Sequence, residues 1–297
     1  MLFMKPNRLF VFAVASLLVF RSLPILAETS ATFDVLVTFD YSNADMTIAN
    51  AINNYNQVAG TFFRDSGEQY GFVYFLDKFS GPIADPNDRF HSTEVKGINN
   101  VGTLCGSYVG GDSIYHSFLR SGLTYTEIDI GPTDTIANGI NDAGNICGAT
   151  TTADTWIAFV VIDGTVTTFA PPGALVTEAH GINNRNECVG FSFDNTMTSG
   201  FRRSSDGILD YPITTEKSKP TYLYGMNGSG WMVGSIVYDG EHAILFQTRK
   251  NYTTYDYPGA SLTRFTGIND RKMVTGFYED RSGTHSFIAR VSPAPAE

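Results

Sequence analysis

The sequence lacks most features that announce a function. Beyond its first 27 residues, no apolar run nears the twenty or so residues that a membrane helix needs. It has no basic cluster, and 20 Lys and Arg against 30 Asp and Glu leave a formal charge of −10. Such a surface offers nothing to nucleic acid or anionic membranes. There is no CxxC pair, no HExxH and no alternating Asp run ending in Gly and a distal Glu, so no metal site is expected. The GxSxG elbow and the glycine-rich phosphate loop are missing too, which leaves no cofactor expected and the catalytic residues unknown. Helical periodicity does not occur.

What is present is recurrence. A short phrase returns six times, opening at Ala51 ("AINNYNQVAG"), Gly97, Gly139, Gly181, Gly225 and Gly267, at intervals of 46, 42, 42, 44 and 42 residues. A fixed period in this range marks a repeat architecture. Each copy has a Thr four residues before it (Thr47, Thr93, Thr135, Thr177, Thr221, Thr263) and a Gly nine residues after it (Gly60, Gly106, Gly148, Gly190, Gly234, Gly276). Each also carries an Asn at its core: Asn53, Asn99, Asn141, Asn183, Asn227 and Asn269. Three residues beyond that Asn stand Asn56, Gly102, Gly144, Asn186, Gly230 and Lys272. Five of these six tolerate a positive φ, which is hairpin chemistry, with Lys272 the exception.

A second signal about twenty residues on ends at Phe72, Phe118, Phe159, Phe201, Ile244 and Phe287, and a third β-rich stretch precedes a Pro-containing turn. Four short strands in about 43 residues describe a propeller blade. The sixth unit stops short of its fourth strand, whereas "TFDVLVTFDYSNADMTIA" near the start fits that slot. The sequence therefore predicts an all-β, six-bladed β-propeller closed by its N-terminal strand, a closure that removes open sheet edges.

The "GINxxGxxxG" phrase with its downstream triplet resembles the HAF repeat family of predicted extracellular bacterial proteins, over essentially the whole chain after residue 27. The resemblance implies export and a tandem β repeat, and brings no established activity or catalytic residue. The triplet's His survives only at His116, His242 and His285, and its Ala only at Ala158 and Ala243.

Residues 1–27 read as a signal peptide: Lys5 and Arg8, then "LFVFAVASLLVF", then "ILA" before Glu28. Residues 28–297 then form one domain, secreted or periplasmic, with no membrane span after the leader is removed. Without Lys5, Arg8 and Arg21 its formal charge is about −13. Cys105 and Cys147 hold one slot in neighbouring units, and Cys188 lies one residue off it. Packed sheets lie about 10 Å apart, whereas disulfide-linked Cα atoms need about 7 Å or less. The thiols are thus expected as small buried hydrophobes. The three triplet histidines fall in different blades, which a ring keeps apart.

One strand departs from the rule. Leading into "GIN", alternate positions are uniform (Thr, then small or apolar, then Gly or Ala), while those between are diverse: Ile48 and Asn50, Glu94 and Lys96, Ile136 and Asn138, Glu178 and His180, Tyr222 and Tyr224, Arg264 and Thr266. Strand side chains alternate between faces, so one face repeats a packing rule and the other escapes it. If this strand is innermost, Glu94, Lys96, Glu178, His180, Tyr222, Tyr224 and Arg264 gather as a binding site at the central channel. The alternative is that they only pack between blades or pair as ions. Three functions remain open on the sequence: a module binding a glycan or protein partner, a glycan-active hydrolase or lyase with Glu94 and Glu178 as acid and base, and a structural envelope protein.

Overall fold

The computed structural model describes residues 30–292, apart from 129, 153–154 and 216–218. The expected signal peptide lies outside the described residues. Among the described residues the chain forms 24 strands and no helix. They make six four-stranded antiparallel blades, in which the chain runs from the inner strand outward. The blades span 46–83, 94–128, 135–169, 176–213 and 221–255, and the sixth combines 262–292 with the N-terminal strand Thr32–Phe39. That strand pairs antiparallel with Gly283–Ser292, Thr32 opposite Ser292 and Phe39 opposite Ser286, and fills the slot the sequence left open. The inner strands touch in succession around an axis, Met46–Ile52 meeting both Glu94–Ile98 and Leu262–Ile268.

The recurring residues are those that the backbone requires. Each core Asn accepts, on Oδ1, the N–H four residues on (from Gln57, Thr103, Asn145, Glu187, Trp231 and Met273), at 2.9–3.1 Å. This closes its own turn. Its Nδ2 donates to the next blade's Asn carbonyl: Asn53 to Asn99, Asn99 to Asn141, Asn141 to Asn183, Asn183 to Asn227, Asn227 to Asn269, and Asn269 back to Asn53, at 2.8–3.3 Å. The six buried amides thus form a hydrogen-bonded ring.

The Gly nine residues into each phrase lies against the inner strand. A Cβ on it would fall 1.8–2.2 Å from the carbonyl oxygen opposite, such as Glu178 O for Gly190. In three blades the recurring Thr accepts the N–H that opens the inter-blade loop, from Tyr41 to Thr47, Asp85 to Thr93 and Tyr257 to Thr263, at 2.9–3.0 Å. Lys272 adopts φ 59°, like Asn56 at 62° and Asn186 at 60°. The hairpin geometry therefore holds in all six turns, and this Lys accepts the left-handed conformation with its ammonium 4.9 Å from the Trp231 ring centre.

The triplet also resolves into parts. Its last residue is a fully buried core side chain in every blade. Its middle residue is small because the next inner strand lies against it, and where it is Ser the hydroxyl bridges blades. Ser117 Oγ donates to Thr135 O and accepts from Ala137 N, and Ser286 does the same with Thr47 O and Ala49 N across the ring's closure. Each triplet His ties the third strand to a carboxylate in the fourth or one residue past its end: His116 to Glu127, His242 to Asp256, and His285 to Asp40, at 2.7–3.0 Å. The three cysteines are buried, and none is in a disulfide. Burial pushes the thiols of Cys105 and Cys188 up to about 12.

Candidate functional site

Every inner strand carries a β-bulge at the same place. The pairing register slips between Ala49 and Ala51, Val95 and Gly97, Ala137 and Gly139, Ala179 and Gly181, Leu223 and Gly225, and Phe265 and Gly267. The unpaired residue of each bulge is Asn50, Lys96, Asn138, His180, Tyr224 or Thr266, and all six line a cavity of about 340 Å³ at the wide mouth of the axial channel. A bulge re-aims the side chain it carries, so this position decides what the channel presents.

The six bulges use that freedom in two ways. In blades 1, 3 and 6 the side chain staples the next blade: Asn50 Nδ2 donates to Val95 O at 2.7 Å, Asn138 Nδ2 to Ala179 O at 2.9 Å, and Thr266 Oγ1 to Ala49 O at 2.7 Å. In blades 2, 4 and 5 it turns instead to the residue two before it on its own strand. Lys96 is ion-paired with Glu94, His180 Nε2 lies 3.2 Å from Glu178 Oε2, and the Tyr222 and Tyr224 rings run parallel with centres 6.4 Å apart. The three released pairs are six of the seven residues singled out by the sequence.

The seventh, Arg264, is held by Glu241 of blade 5, with Nε 2.6 Å from Oε1 and Nη2 2.9 Å from Oε2. Its guanidinium lies 5.1 Å from the ring centres of both Tyr224 and Phe277. Glu94, Lys96, His180, Tyr224 and Arg264 line the cavity directly. Glu178 and Tyr222 stand just behind, Glu178 bonded to His180 and Tyr222 edge-on to Phe191 at 5.0 Å. Phe191 in turn stacks on His180 at 5.1 Å. Blades 4 to 6 thus supply an aromatic wall, and blade 2 supplies Glu94 and Lys96.

Three contributors escaped the sequence reading: Phe191, Phe277 and Glu241. The first two follow the recurring Gly, a slot that is Thr61, Ser107, Ala149 and Ser235 elsewhere, so an aromatic there was a visible departure. Glu241 opens a third strand and gave no comparable signal.

The charges are matched inside the site. Burial alone would lower the Lys96 ammonium, but Glu94, with a smaller contribution from Glu178, holds it above its usual range. Burial would raise the Glu178 carboxyl, but the bond and charge of His180, with Lys96, outweigh that and hold it below its ordinary value. A glycosidase-type general acid needs the opposite shift. Burial pushes the Tyr224 hydroxyl up to about 12, so it stays a neutral donor. Among the described residues, no group of three or more His, Cys, Asp and Glu side chains is arranged to hold a metal ion.

Below the cavity, Ile52, Ile98, Ile140, Ile182, Met226 and Ile268 form an apolar neck. Beneath it the narrow mouth holds about 80 Å³ among the Asn ring and Asn54, Asn100, Asp142, Asn184, Gly228 and Asp270. The wide mouth is therefore the roomier entrance.

No family model matches the sequence, and no curated protein matches it either. Solved structures do. A lectin from Aleuria aurantia, in complex with Fucα1-6GlcNAc, aligns over 87% of this chain and 98% of its own at 10% identity and a TM-score of 0.53. A putative gluconolactonase aligns over 93% and 99% at 14% identity and a TM-score of 0.52. These neighbours are β-propellers. So is a third, the propeller domain of the Trilobed protease from Pyrococcus furiosus, which aligns over 85% and 98% at 6% identity with a TM-score of 0.50 and has an open velcro topology. At such identities the likeness is one of fold alone, and the roles of these propellers vary.

Proposed function

We propose that the protein is an exported binding module that holds the end of a glycan in the wide mouth of its channel. One observation carries this reading: three of six equivalent bulges give up an inter-blade hydrogen bond and turn Lys96, His180 and Tyr224 to one cavity, with Glu94 beside Lys96 and with Glu178 and Tyr222 directly behind. The exchange trades a hydrogen bond to the neighbouring backbone for side-chain groups that face the cavity. Sugars offer apolar ring faces edged with hydroxyls, and the site opposes aromatic side chains with carboxylate, imidazole and ammonium groups that accept or donate hydrogen bonds. The cavity of about 340 Å³ suits a chain end better than a long stretch of polymer. The Aleuria aurantia lectin supports the reading by analogy, as a propeller that binds a sugar. Export rests on the leader-like residues 1–27.

The test is binding of the purified chain to an array of bacterial and plant glycans, with the same spots read over time. Stable binding that falls at least tenfold in Tyr222→Ala and Glu178→Ala supports the module, and time-dependent loss of signal would point to cleavage instead. A blank array would remove the glycan reading and turn attention to a protein partner.

A further inference from the structure

The charges around the cavity also bear on what it selects. Each cationic group that lines it has its own carboxylate in contact: Lys96 has Glu94, and Arg264 has Glu241 in two bonds of 2.6 and 2.9 Å. Arg264 is further confined between Tyr224 and Phe277, each 5.1 Å from its guanidinium carbon, so its face is not offered to a ligand anion. Glu178 is matched to His180 at 3.2 Å. All these side chains are partly buried, the most exposed of them Glu178 at 30%. A charged ligand entering such a site would lose its water and have to draw one partner away from another. A hydroxyl need not, since it both donates and accepts. Glu94 and Lys96, side by side on one strand, can take neighbouring hydroxyls of one ring, the carboxylate accepting from one and the ammonium donating to the next.

Resting on the glycan-binding reading, we infer that the site selects an uncharged sugar through a vicinal diol held by Glu94 and Lys96, and rejects acidic and amino sugars. The pair is the selectivity filter. Removing either partner leaves the other's charge unopposed in the cavity, so selectivity is reset towards ligands of the opposite sign.

Calorimetric titration with three sets of methyl glycosides tests this: neutral hexoses, hexuronates and 2-amino-2-deoxyhexoses, each in gluco, galacto and manno configuration. The expected result is binding by at least one neutral sugar, about tenfold tighter than its charged counterparts. Its affinity should change less than twofold between 50 and 500 mM salt, roughly the range over which contacts to a charged ligand would weaken. Lys96→Met should then gain affinity for the amino sugar, and Glu94→Gln for the uronate. A gain of binding cannot come from misfolding. If a uronate or amino sugar binds the unaltered chain best, with affinity falling as salt rises, the selectivity inference fails while the glycan-binding reading stands. If no sugar binds in any set, both fail.

Discussion

Blades 1 and 3 carry an Ile and a stapling Asn where blade 4 carries Glu178 and His180, so blade 4 can be given the pair of its neighbours. In the double variant Glu178→Ile, His180→Asn, the introduced amide should reach Leu223 O, the counterpart of Val95 O and Ala179 O, at the 2.7–2.9 Å seen for Asn50 and Asn138. One added hydrogen bond contributes about 1 kcal/mol. Replacing a partly buried carboxylate–imidazole contact by an apolar side chain and an amide is roughly neutral to favourable. Together they should stabilise by about 1–2 kcal/mol, a rise in Tm of about 3–6 °C for a chain of this size. Glycan binding should drop at least tenfold in the same protein, a trade of function for stability at one site. The difference should widen in acid. The Glu178 carboxyl is held below its ordinary 4.5, so the pair's contribution is present above pH 4.5 and is lost as pH falls through the lower, folded value. Scanning calorimetry of both proteins at pH 7 and pH 4, beside one binding titration, reads all three effects. A Tm lowered by several degrees at pH 7 would show that Glu178 and His180 cement the ring, and unchanged binding would remove them from the site.

Other perturbations test the scaffold. Gly190→Ala places a methyl 1.9 Å from Glu178 O, so it should destabilise by about 1–3 kcal/mol in a urea melt; a loss below 0.5 kcal/mol would mean that the strands part more easily than their packing implies. Asn269→Ala removes both the bond to Asn53 O at 2.8 Å and the turn bonds on its Oδ1, and should cost about 1–3 kcal/mol. Shortening Asn269 should also speed hydrogen exchange in Thr32–Phe39 before the middle blades; uniform protection would refute its part in closure. In the native protein Cys105, Cys147 and Cys188 should resist iodoacetamide, because all are fully buried and Cys105 and Cys188 are pushed up to about 12, whereas all three should react in denaturant.

The scaffold was legible in the sequence because its constraints act on the backbone and so repeat with the backbone. Only an amide at Asn183 can close its own turn and donate to Asn227 O, and only Gly fits at Gly190 beneath a carbonyl. The gathering of Glu94, Lys96, His180 and Arg264 at the channel was legible from one face escaping the rule. The bulge was not. It adds one residue to the inner strand without changing the alternation that surrounds it, so Asn50, Asn138 and Thr266 read as equally diverse when they are staples. The pairing of Arg264 with Glu241 depends on a contact between blades, 23 residues apart in the chain, which no local pattern encodes. Lys272 looked like an exception because propensity weighs the residue alone, whereas the turn around it sets φ.

The bulge also explains how a symmetric ring acquires an asymmetric site. At each of six equivalent places the side chain leaves the strand ladder, and it can meet the next blade's carbonyl or the cavity. Stapling at blades 1, 3 and 6 spaces reinforced seams around the ring, while releases at blades 4 and 5 fall side by side and build a continuous wall from His180 through Tyr224 to Arg264. In a closed ring of six, blade 2 stands opposite blade 5, so its released pair faces that wall across the axis. The charge of Lys96 acts on Glu178 from another blade, as two sides of one cavity must. Reversing one release should therefore do more than subtract one contact. Replacing Lys96 with Asn would strengthen the seam to blade 3 and leave Glu94 unbalanced, stiffening the ring and shifting its preference towards a cation at once.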